Sequence, residues 1–211
     1  LHFLQAEIFY GLANKNTMIE VLENIIKGLA LKLNDLGFIS KSGGLLQETT
    51  IVGTGATVVQ TSAQIAPFAD GKLVRVSPDK SETVITFFTA GATRVIRQDL
   101  YLMQLENEIT LTGWINGNRT GRSELASPEM QIMNAIKTAR LDLTTGGPVR
   151  DLEIVYSGDN EGSPVSRWGW DKPEFQYGVT PHRIFQQKYR VVYTIAQGCA
   201  TQTVNILNPA C

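Results

Sequence analysis

Residues Tyr101 to Trp114 read YLMQLENEITLTGW. Tyr101, Met103, Leu105, Ile109 and Leu111 share one parity, and Gln104, Glu106, Glu108, Thr110 and Thr112 share the other. Successive side chains of a strand point to opposite faces, so this alternation predicts a strand with one buried face and one polar face. Asn107 is the only polar residue on the apolar side. At about 3.3 Å per residue the segment reaches roughly 40 Å, which is long for a strand. A second stretch has the same character. Phe185, Tyr189, Val191, Tyr193 and Ile195 alternate with Gln186, Lys188, Arg190 and Thr194, predicting another long strand with one polar side.

Working outward, Thr17 and Glu20 form a capping box ahead of Met18, Leu22, Ile25, Ile26, Leu29, Leu33 and Leu36. That three- and four-residue spacing predicts a helix over Met18 to Leu36, ended by Gly37 in a left-handed cap. Ser127, Pro128 and Glu129 supply a cap, a first-turn proline and a dipole-matched acid for a second helix, expected to run to Leu143. Ser40 to Gly44 reads as a glycine-serine loop. Thr49 to Gln60 reads as two short strands or one bulged strand. Leu73 to Ser77, Thr83 to Thr89 and Leu152 to Tyr156 read as short strands, and Pro67 to Gly71 as a turn. The expected class is α+β: a mainly antiparallel sheet with two helices packed on one face. A single domain over 17–197 is expected, with an arm at 1–16, insertions near 45–70 and 158–178, and a tail at 198–211.

Composition narrows the function. Lys and Arg total 19 against 20 Asp and Glu, a formal net charge of -1, which excludes attraction of the whole chain to nucleic acid or an anionic membrane. Charged residues make up 18%, below the usual ~25%, so little of the surface is built to stand free in water. The apolar-rich stretch Met18 to Leu36 is broken by Glu20, Glu23, Lys27, Lys32 and Asp35, so no membrane helix is expected. Leu1 to Tyr10 has neither a basic start nor a small-residue cleavage site, so no secretory signal is expected there, and the Asn118 sequon reads as chance. Cys199 and Cys211 read as free thiols or as one short disulfide loop.

The motifs with chemical potential are few. Gly53 and Gly55 follow a strand-like run, as in a dinucleotide-binding loop, but no third glycine follows and Val58 and Val59 favour strand. A glycine bulge in a hairpin is the stronger reading. His2 and His182 lie far apart outside any metal-ligand spacing, and His182 reads as an exposed loop residue. No catalytic residue, metal site or cofactor is therefore expected. Glu106 and Glu108 share a strand face, where carboxylates are ordinarily solvated, and Lys188 and Arg190 are their candidate partners within the chain or across chains. Arg119 and Arg122 sit in a glycine-rich loop that is either plainly solvated or a contact to phosphates or an acidic partner. Trp168 and Trp170 lie in an irregular segment with Phe175 and Tyr177, suiting either an interface or a cover over the chain's own sheet.

The order of elements is similar to that of the tail terminator proteins of tailed bacteriophages and the related neck, or head–tail completion, proteins. The resemblance is carried by the helix Met18 to Leu36, the long strand and loop Tyr101 to Arg122, the helix from Pro128, and the closing strand Tyr189-Arg190-Val191-Val192-Tyr193-Thr194-Ile195. It implies a tail-terminator-like fold and a structural virion role without catalysis or cofactor. Such subunits form a ring, usually of six copies, that caps the tail tube and joins it to the neck. DNA would pass through the lumen without sequence-specific binding. Partners would be copies of the chain and the tube and neck proteins, with no membrane, and assembly would take place in the host cytoplasm. Glu106, Glu108, Arg119, Arg122, Trp168, Trp170, Lys188 and Arg190 are the candidate interface residues. An enzyme using the Gly53/Gly55 loop, or a cell-surface binding module, are the alternatives.

Overall fold

A strand with one apolar face needs a second layer to bury it, and two helices provide that layer. The computed structural model describes residues 19–53, 56–68, 71–79, 81–99, 102–119, 127–141, 149–159, 168 and 182–196. The arm at 1–16, the capping residue Thr17, the tail at 198–211 with both cysteines, and Trp170, Phe175, Tyr177 and Arg122 lie outside the described residues. Helix α1 covers residues 19–34. It buries Val21, Leu22, Ile25, Ile26, Leu29, Ala30 and Leu33, the face that the spacing predicts. Gly37 has φ 24°, as expected of a glycine that ends a helix.

Eight strands are described: β1 (Lys41–Leu45), β2 (Gln47–Gly53), β3 (Ala56–Gln64), β4 (Leu73–Arg75), β5 (Val84–Gln98), β6 (Leu102–Asn116), β7 (Val149–Asp159) and β8 (His182–Ala196). Helix α2 (Pro128–Lys137) precedes β7. Ser127 Oγ accepts a hydrogen bond from the Met130 amide at 3.4 Å, and α2 buries Ile132 and Ile136. This helix ends at Lys137, short of the predicted Leu143. Thr138 turns its hydroxyl back to the Asn134 carbonyl at 2.7 Å. Leu141 packs on α1, where a Cβ at Gly28 would stand 3.0 Å from its side chain.

Five strands form one sheet in the order β1-β5-β6-β8-β7, and β2-β3-β4 form a second. Every pairing is antiparallel except β1 with β5. The fold is therefore α+β, with two helices and mostly antiparallel sheets. On the helix side, α1 and α2 bury Val84, Phe88, Leu105, Ile109, Leu111, Tyr189, Val191 and Tyr193. Asn107, the polar residue of the apolar face, is fully buried there. It accepts a hydrogen bond from the Tyr193 hydroxyl at 3.0 Å and donates one to Thr93 Oγ1 at 2.6 Å, so it meets partners instead of water. Gly113 lies directly opposite Phe185, whose ring occupies the space a Cβ would take.

The opposite face of the main sheet carries a smaller core of Ala63, Val76, Ile85 and Phe87, against which Trp168 and Ile184 pack. The second sheet brings Ala63 and covers only that end. The region near 45–70, expected as an insertion, is thus largely a hairpin with a packing role. Two expectations fail outright. Ser40 to Gly44 is not a loop, because Lys41 to Leu45 form β1. A Cβ on Gly43 would lie 3.0 Å from the Thr86 carbonyl and 3.2 Å from Ala63 Cβ, so the glycine lets strands from both sheets approach. His182 is not in a loop either: its backbone pairs with Asn116 at the start of β8.

Candidate interaction surface

Strand β5 sets the geometry of the surface. Val84 to Phe88 are buried, whereas Ala90 to Gln98 are all exposed. The sequence reading ends this strand at Thr89, but it continues to Gln98. Two irregularities, between Ala90 and Thr93 and between Val95 and Arg97, break the alternation that would have revealed it. β1 pairs with β5 only at Ile85, Thr86 and Phe88, so beyond that point β5 is the sheet edge. Val95 and Ile96 are 52% and 51% exposed on it, between Arg94 and Arg97.

The face away from the helices is polar at this end. Glu106 lies between Arg94 and Val192 in the ladder, and Val192 in turn pairs with Glu153. Arg190 Nη1 stands 3.6 Å from Glu106 Oε2, while Glu108 is directly opposite Arg190. The sequence-predicted acid–base partnership therefore forms inside one chain, at a partly exposed site where it contributes about 0–1 kcal/mol. Lys188 is half-buried opposite Thr110. Arg97, Gln104, Asp151 and Thr194, together with Asp99 and Leu102, line a hollow of about 220 Å³ that spans four strands. Asp151, at the irregularity in β7, has φ 53°, a conformation more accessible to Asp than to most side chains.

The hairpin β2–β3 projects a second surface. Gly53 pairs with Ala56 across its tip, and Ile51, Val52 and Val59 are 49%, 79% and 37% exposed. A dinucleotide loop needs a helix N-terminus after its glycines; here the next element is strand β3. Gly55 itself is outside the described residues.

Other predicted residues serve the chain's own fold. Trp168 donates from Nε1 to Glu48 Oε1 at 3.1 Å and meets Phe87 edge-on at 5.5 Å, covering the smaller core. Arg119 is exposed in the turn after β6, its amide bonded to the Asn116 carbonyl. Arg119 is thus not brought near Glu106 or Arg190 by any described contact. Burial raises the Tyr193 phenol to about 12 and also raises that of Tyr189, so both stay neutral across the physiological range. Asp79 is held below the usual carboxylate range by the Ser81 amide and hydroxyl. Among the described residues no group of three His, Cys, Asp or Glu could hold a metal ion, and no helix is long and apolar enough to cross a membrane.

No family model, no curated protein and no solved structure matches this chain. The residues that sequence reasoning missed are Arg94, Arg97, Asp151 and Glu153. They belong to strands whose irregular pairing erases the period-2 signal.

Proposed function

We propose that the chain is a structural subunit of a tailed-bacteriophage virion, closing into a ring with copies of itself at the tail end or neck. The observation that carries the reading is the placement of exposed apolar side chains. Ile51, Val52 and Val59 lie on one hairpin and Val95 and Ile96 on one stretch of sheet edge, whereas Ile19, Leu31, Leu73 and Met130 are exposed singly elsewhere. Exposed apolar side chains flanked by charge, as Val95 and Ile96 are by Arg94 and Arg97, mark a surface that another chain can cover. The resemblance of the order of elements to that of tail terminator and neck proteins supports the same reading. In such a ring each copy presents one surface to the copy ahead and another to the copy behind, a heterologous contact that closes by rotation. The role is assembly, not catalysis. A net charge of -1 suits a lumen through which DNA passes without being held.

Light scattering at rising protein concentration, read together with negative-stain images, tests the proposal. Closed rings of uniform size are the expected result. A chain that stays monomeric at every concentration overturns it.

A further inference from the structure

We infer that neighbouring copies join along one seam, the edge of β5 (residues 90–98) that no described strand pairs with in one copy, against β7 in the next. This deepens the ring reading above and rests on it. The first support is strand direction. β5–β6, β6–β8 and β8–β7 are each antiparallel, so β5 and β7, at opposite sides of these four strands, run in opposite directions. A copy placed alongside in the same orientation therefore brings its β7 to the β5 edge antiparallel, the more favourable pairing.

The second support is length. Gln98, Met103, Ile195 and Val149 form one row across the sheet, and Thr89, Thr110, Lys188 and Gly158 form another. β7 thus spans the rows of β5 from Gln98 to Thr89. β1 occupies the rows of Ile85 to Phe88. The part of β5 that β1 leaves open is the part a neighbour's β7 can fill at the same height, without meeting β1.

The third support is charge. Arg94, Glu106, Val192 and Glu153 are successive partners in one row, so Arg94 and Glu153 stand at its two ends on the same face. Between Ala90 and Gln98 the edge carries Arg94 and Arg97 and no acid. The exposed residues of β7 include the acids Asp151, Glu153 and Asp159 against the single Arg150. At the same height Arg94 would meet Glu153 of the neighbour, the same register sets Arg97 opposite Arg150 beside the acid Asp151, and Val95 and Ile96 would leave water. Irregularities on both edges deter indiscriminate strand pairing, so side-chain complementarity selects the partner.

The test uses the full chain and sedimentation at rising concentration. Arg94→Glu changes an exposed side chain and should leave the circular dichroism spectrum unchanged. It should weaken self-association about tenfold or more, as should Glu153→Arg. A chain carrying both substitutions should associate again, because the charges are then exchanged across the seam. Lys32→Glu, on the exposed side of α1, should have no effect. If the wild type associates and the charge variants associate equally well, or if the double variant fails to recover, the seam is wrong while the ring reading stands. A wild type that never associates overturns both.

Discussion

Strand β5 passes through two environments without a break. Val84 to Phe88 have α1 and α2 on one side, the smaller core on the other, and β1 along the edge. Ala90 to Gln98 are exposed throughout. The backbone is continuous and pairs with β6 along both halves, so hydrogen bonding alone does not separate them. The covering layers do. The first half derives its stability from burial within the chain; the second half keeps apolar and cationic groups at a surface that no other described residue covers.

The comparison can be broken most forcefully in its buried half. Leu29→Asp places a charge in the fully buried helix face and should abolish cooperative unfolding in urea, whereas Glu23→Ala should shift stability by no more than about 0.5 kcal/mol. If the two behave alike, the face of α1 is misassigned. Next in size, Phe88→Ala should cost about 3–5 kcal/mol, while Ile96→Ala in the same strand should cost under about 0.5 kcal/mol in the monomer. Equal costs in denaturant titrations would remove the distinction between the halves.

A smaller effect comes from Asn107, which joins the two regions through Thr93 and Tyr193. Tyr193→Phe leaves the Asn107 oxygen without its hydroxyl donor and should cost about 1–3 kcal/mol. The same tyrosine sets a pH dependence. Its phenol titrates near 10 when unfolded and is raised to about 12 in the fold, so the folded state holds the proton where the unfolded state has lost it. The contribution is fully present below pH about 10 and is lost as pH rises toward about 12. Urea midpoints across that window should fall, and fall less steeply in Tyr193→Phe, where the buried Tyr189 still contributes. A small change is also expected for Arg190→Ala. Its ion pair with Glu106 is partly exposed, so thermal melting should move by no more than about 1 kcal/mol equivalent. A larger loss would mean that the polar face is a stability element and not a surface held for a partner.

Much of the fold was legible where a single period governs a segment. The helix face of α1 and the alternation of β6 and β8 read directly, because apolar and polar side chains alternate there, even though β6 is buried on both sides from Leu111 to Asn116. β1 was hidden by Gly43 and Gly44, which look like loop residues until the approach of Thr86 and Ala63 explains them. The second half of β5 and the start of β7 were hidden by irregular pairing, and α2 was read too long because Ala139 and Leu143 extend its apolar spacing. The candidate surface was less legible than the fold. The partnership of Glu106 with Arg190 follows from the parity of two strands, but it closes inside the chain. Arg94 and Glu153 become related only through the register of four strands, a tertiary property that no local spacing encodes.

The most direct measurement is an image of the assembled particle, sharp enough to trace the strands of adjacent copies. The account predicts a closed ring in which residues 90–98 of each copy lie antiparallel beside residues 149–158 of the next, with Arg94 facing Glu153. A ring closed through other surfaces, or a preparation containing monomers alone, would contradict it.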